Sequence, residues 1–156
     1  MRRYCKALTL RIAISLRSNV QNKVFVKMDL SNAFNCVDRS AVLSSVRRVL
    51  PEVAPFADFC YGSASSLYLG SHTLSSERGA QQGDPLGPLL FSLALQPVLR
   101  ELGTSRASGG LELAYPYLDD LCLAGDELAV ATALNTLKAR CADIGLVLST
   151  GIVDPE

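Results

Sequence analysis

Hydrophobic and polar positions alternate with two distinct periods along the chain. Ala7 to Leu16 has the helical period, with Leu8, Ile12 and Leu16 on one face. Val24, Phe25, Val26 and Met28 form a short apolar run that ends at Asp29, the pattern of a buried strand. Ser40 to Leu50 reads as a helix with a serine cap, stopped by Pro51, and a second helix follows from Val53 to about Tyr61. Ser66–Leu69 and Thr73–Ser75 flank Gly70-Ser71 as a hairpin. Gly79 to Pro88 is a loop rich in glycine and proline, and Pro88 suits the first turn of a helix reaching about Leu102. A turn-rich connection from Gly103 to Gly110 precedes two short strands, Leu111–Tyr117 and Leu121–Ala124, joined tightly through Leu118, Asp119 and Asp120. Glu127 to Asp143 is a helix ended by Gly145, and Leu146–Leu148 is a last strand. This order predicts an α+β fold, an antiparallel sheet with helices packed on one face.

Composition narrows the class. The chain has 156 residues, 49% of them hydrophobic and 19% charged, which suits one globular domain and excludes a disordered chain. The most apolar uncharged stretch, Pro85 to Leu99, is too short for a membrane span, so no membrane partner is expected. Five cysteines, at 5, 36, 60, 122 and 141, show no C-x-x-C spacing, and there is a single histidine. That excludes a zinc site and a disulfide framework, and it points to a reducing, intracellular setting, cytoplasmic or nuclear.

The net charge of zero hides an asymmetry. Residues 1–50 carry ten Lys/Arg against two Asp, whereas the remainder carries five Lys/Arg against thirteen acids. A basic segment suits phosphates and an acidic one can hold divalent cations, although two ordinary solvated faces have the same composition. Residues 1–22 read as a basic helical segment that packs on the following strand.

Three acids stand out. Asp29 closes a strand, where a carboxylate can be held rigidly. Asp119 and Asp120 lie in a hairpin turn that lacks the Gly or Asn a relaxed turn requires. Adjacent carboxylates repel unless a cation is present, so the turn is costly without a ligand. If the three acids meet, their oxygens suit hard cations, and a pair of such ions stabilises both the attacking and the leaving oxygen of phosphoryl transfer.

The run Val26-Lys27-Met28-Asp29-Leu30-Ser31-Asn32-Ala33-Phe34-Asn35 resembles the first palm motif of reverse transcriptases. Gly79-Ala80-Gln81-Gln82-Gly83-Asp84-Pro85-Leu86-Gly87-Pro88-Leu89-Leu90-Phe91 resembles the second, in its non-LTR retrotransposon form. Tyr117-Leu118-Asp119-Asp120 matches the third, the Y-x-D-D turn, and Leu137 to Leu148, with Gly145-Leu146, resembles the start of the fourth. The motifs occur in the family's order, over about residues 23–150.

The resemblance implies a polymerase palm with partial fingers, and RNA-directed DNA synthesis. A primer 3′-hydroxyl would attack the α-phosphate of a deoxynucleoside triphosphate and release pyrophosphate. It further implies that Asp29 and Asp119 ligate two Mg2+ ions (Mn2+ as substitute), with Asp120 supporting and the Leu30 carbonyl completing a coordination shell. Phe34 would lie under the sugar and exclude a 2′-hydroxyl. Gln82 and Gly83 would lie beside the nascent base pair, and Tyr117 would also contact the substrate. The implied partners are an RNA template, a DNA primer and dNTP, with oligomeric state left open.

The chain also departs from the family. The lysine expected soon after Gly145-Leu146 is missing from Ser149-Thr150-Gly151-Ile152-Val153. The 28 residues before Asp29 do not read as a full fingers module, and residues 151–156 read as a tail, so a palm truncated at both ends is expected. The alternative reading is a catalytically inactive retroelement remnant that keeps the palm fold with at most weak nucleic-acid binding. An RNA-templated RNA polymerase is disfavoured by Phe34 and the Tyr-Leu-Asp-Asp turn.

Overall fold

The computed structural model describes residues 23–81, 83–107 and 110–151. The helix predicted over Ala7–Leu16, with the rest of residues 1–22, lies outside them, as do Gln82 and residues 152–156. The elements are β1 (Lys23–Leu30), α1 (Ala33–Cys36), α2 (Arg39–Val49), α3 (Ala54–Tyr61), β2 (Ser65–Leu69), β3 (His72–Ser76), α4 (Gly87–Ala107), β4 (Leu111–Tyr117), β5 (Asp120–Asp126), α5 (Glu127–Asp143) and β6 (Leu148–Gly151).

Four strands form one antiparallel sheet in the order β4-β5-β1-β6, and β2 and β3 form a separate hairpin. The helices cover one face of the larger sheet. Met28 and Leu30 of β1 and Leu121 and Leu123 of β5 point into a core shared with Leu90 and Phe91 of α4 and with Val130 and Leu137 of α5. At the end of β1 the period of two is sharp: Met28 and Leu30 are buried, while Lys27 and Asp29 are exposed. The strand is therefore not buried on both faces as its apolar run suggested. An antiparallel sheet can leave one face to solvent, and this one does. The result is a palm-like α+β arrangement with a partial fingers region.

Several boundaries differ from the sequence expectation, each for a physical reason. Helix α2 starts at Arg39 rather than at a Ser40 cap. Asp38 takes the N-cap position, but its carboxylate is used by Arg78, 2.6 Å away, and not by the helix amides. Helix α4 runs on through Gly103 to Ala107 where a turn-rich connection was expected. One helical glycine costs only about 1 kcal/mol, and no proline blocks that stretch. Strand β6 begins at Leu148, two residues late, because the Leu146 amide still bonds the Cys141 carbonyl at the end of α5 and its side chain is buried. Among the described residues no helix is long and apolar enough to cross a membrane.

Candidate active site

The antiparallel register brings the acids together at the strand level. Asp29 stands directly opposite Asp120, and the Leu30 amide donates to the Asp119 carbonyl at 3.1 Å. A hydrogen-bonded link at Leu30–Asp119 makes Asp29–Asp120 the narrow, non-hydrogen-bonded pair, in which Cα atoms are about 4.5 Å apart and side chains approach most closely. On the flanking strands Tyr117 pairs with Asp120 and Ser149 with Asp29. One row, Tyr117–Asp120–Asp29–Ser149, therefore crosses the open face. The next row inward is Tyr115–Cys122–Lys27.

The turn between β4 and β5 is strained where the sequence lacks glycine. Leu118 has φ 54°, and Asp119 is not among the residues of positive φ. Positive φ at the first central position alone is the type II′ signature, which glycine normally fills. A branched residue there costs about 1–2 kcal/mol.

Asp29, Asp119 and Asp120 offer carboxylate oxygen, the donor that hard cations take. Their side chains nevertheless do not close into a cage. Among the described residues no three His, Cys, Asp or Glu side chains gather closely enough to hold a metal ion. The Asp120 carboxylate instead faces the Lys27 ammonium, 3.3 Å from Oδ1. The donor chemistry suits Mg2+, but the arrangement does not present the three acids to it.

The glycine-rich loop is fastened from two sides. The Gly79 amide donates to the Val37 carbonyl at 2.9 Å and the Ala80 amide to the Phe34 carbonyl at 2.7 Å, which ties the loop to the end of α1. Gly79 has φ 74°, and a Cβ there would sit 2.5 Å from the Phe34 oxygen, so only glycine fits. At its other end Asp84 accepts from the Leu86 amide at 2.8 Å and from the Tyr61 hydroxyl, and that hydroxyl accepts from the Gln81 amide at 3.3 Å. Burial, and then the bond to Asp84, push the Tyr61 phenol above its ordinary pKa. Gly83 is exposed with φ 90°, a conformation that favours glycine, and no described protein atom would meet a Cβ there. Phe34 is half-buried and stacks on Phe91 of α4, with ring centroids 4.7 Å apart.

Arg39 is the residue that sequence reasoning missed. It is 7% exposed. Its Nε donates to the Gly79 carbonyl at 3.1 Å, Nη1 to the Ser76 carbonyl at 2.7 Å, and Nη2 to Ser76 Oγ at 2.9 Å. The guanidinium lies over the Tyr61 ring, 5.4 Å from its centre. One cation thus joins α2, the end of β3, the glycine-rich loop and α3. The signal was present: Arg39 precedes Val42, Leu43 and Val46 by three, four and seven positions, so it sits on the apolar stripe of its helix.

A four-stranded antiparallel sheet, helices on one face, and acids at the end of a central strand and in the neighbouring hairpin turn define a nucleic-acid polymerase palm. The profile of the family described as reverse transcriptase (RNA-dependent DNA polymerase) matches residues 3–151, and the chain belongs to that family. It is 27% identical over 140 residues to the retrovirus-related Pol polyprotein from type-1 retrotransposable element R2 of Nasonia vitripennis, an alignment covering 83% of this chain and 14% of that protein. A polyprotein of the same description from Popillia japonica is 31% identical over 133 residues, covering 74% of this chain and 19% of the relative. The chain thus spans less than a quarter of the length of these curated relatives. Among solved structures, apo telomerase from Candida tropicalis superposes with a TM-score of 0.73 at 9% identity, over 100% of this chain and 33% of that one. Telomerase from Candida albicans, in complex with a TWJ fragment of telomeric RNA, gives 0.71 at 10%, over 96% and 31%. At such identities the likeness is one of fold.

Proposed function

We propose that this chain is a retroelement reverse-transcriptase palm that keeps the fold without an assembled metal centre, binds nucleic acid weakly, and does not extend a primer by itself. The observation that carries this reading is that, among the described residues, no three His, Cys, Asp or Glu side chains gather closely enough to hold a metal ion, while the Asp120 carboxylate faces Lys27 instead. The absence of lysine from Ser149–Val153 agrees with it, since general-acid help is typically worth about 10²–10⁴-fold.

The second reading is RNA-directed DNA synthesis with an RNA template, a DNA primer, dNTP and two Mg2+ ions. The opposed Asp29–Asp120 pair favours it. It requires Asp29, Asp119 and Asp120 to swing together, with the Leu30 carbonyl beside them, and Phe34, Gln82, Gly83 and Tyr117 to face the substrate.

Primer extension on an RNA template, with Mg2+ and with Mn2+, separates the two. No extension, together with weak primer–template binding that falls steeply with salt, is expected. Extension that disappears in Asp119→Asn would establish the polymerase reading instead.

A further inference from the structure

Lys27 shares the open face with Asp29 because it lies two residues before it on the same strand. The register places it opposite Cys122, one row in from Asp120, and from there its ammonium reaches Asp120 Oδ1 at 3.3 Å. Both side chains are about half exposed, so neither is trapped in this geometry. The ammonium therefore places a positive charge on the acid row.

We propose that Lys27 is a built-in counter-cation for this acid row, occupying the approach by which a divalent ion reaches Asp120, so that a metal enters only after Lys27 has swung out. The proposal rests on the reading of Asp29, Asp119 and Asp120 as the family's acid set. Two physical consequences follow. A dication and an ammonium cannot share one carboxylate edge without repulsion, so metal affinity carries the cost of displacing the lysine. That cost is bounded, because an exposed ion pair contributes no more than about a fivefold change in an equilibrium constant.

The test is direct titration of the protein with Mn2+, reading free Mn2+ by electron paramagnetic resonance, with circular dichroism as the check on folding. Lys27→Met keeps the length of the side chain and removes its charge, and is expected to tighten Mn2+ binding about fivefold. Lys27→Arg keeps the cation and is expected to bind Mn2+ no better than the parent. Adding Asp120→Asn to Lys27→Met is expected to abolish the gain. Lys138→Met changes net charge equally, at an exposed position on α5, and is expected to leave affinity unchanged. Equal affinities in the parent and Lys27→Met, or an equal gain from Lys138→Met, would overturn the role of Lys27 while leaving the acid row as a metal site. Failure of both proteins to bind Mn2+ at millimolar concentration would overturn the role of Lys27 and the acid-row reading together.

Discussion

Replacing Arg39 by methionine should destabilise the fold by about 3 kcal/mol. The change preserves the aliphatic stem and removes the guanidinium. Three well-formed hydrogen bonds disappear, to the Gly79 carbonyl, the Ser76 carbonyl and Ser76 Oγ. Gly79 is buried, so its carbonyl is left without a donor, which costs about 1–3 kcal/mol. Ser76 is only half-buried and can recruit water, which places its share at the low end of that range. The cation over Tyr61 adds about 0.5–2 kcal/mol. Together these come to about 4 kcal/mol at mid-range, and the relief of a desolvated charge, for which no carboxylate partner is seen among the described residues, takes back about 1 of it, because a guanidinium is only weakly hydrated and keeps its hydrogen bonds in the parent. A domain with about 5–15 kcal/mol of total stability would register a net change of 3 clearly. Arg39→Lys restores the charge but not the planar fork, and should recover less than half of the loss. Equilibrium urea unfolding, with the slope unchanged between variants, measures the difference. An Arg39→Met protein within about 0.5 kcal/mol of the parent would refute the reasoning, because it would show that the carbonyls find other donors at no cost.

Three further outcomes are expected. Tyr61 is protonated more firmly in the folded chain than in the unfolded one, so its contribution is fully present below the ordinary phenol value near 10 and is lost as pH rises through the folded value; unfolding free energies measured from pH 8.5 to 11 should fall more steeply for the parent than for Tyr61→Phe. Cys141 is fully buried with its thiol pushed up to about 11, so it should react with a thiol reagent only on unfolding, and labelling of the native chain at that position would contradict the packing. Leu118→Gly removes the cost of positive φ at the β4–β5 turn and should raise stability by up to about 1 kcal/mol, less whatever contact the half-buried leucine makes; a clear drop in thermal midpoint would show that the strain is compensated elsewhere.

The residues whose role is local were legible in the sequence. The Gly70-Ser71 turn, the stop at Gly145 and the absence of a relaxed turn residue before Asp119 all correspond to backbone features: φ 59° at Gly70, φ 77° at Gly145 and φ 54° at Leu118. The four-residue helix Ala33–Cys36 was not legible, because a single turn shows no period. Lys27 and Asp120 are read singly as a strand residue and a turn residue. Their contact depends on the β1–β5 register, which a strand's own pattern does not encode beyond its parity. The Tyr61–Asp84 bond that fixes the second motif joins a helix end to a loop by the same kind of long-range placement.

The β1–β5 ladder also sets the order of events in folding. Lys23 and Asp126, at its far end, are 103 positions apart in the chain, and the acid row lies at the other end of the same ladder. Closing so long a loop must precede any contact that rewards it, which makes such pairing slow. The helices α2 to α4 and the β2–β3 hairpin draw on closer neighbours and can form first. A ribosome-bound chain whose β5 is still inside the exit tunnel would carry folded helices and no Asp29–Asp120 pair. Whatever this face binds, the ability to bind it arrives with the docking of β5.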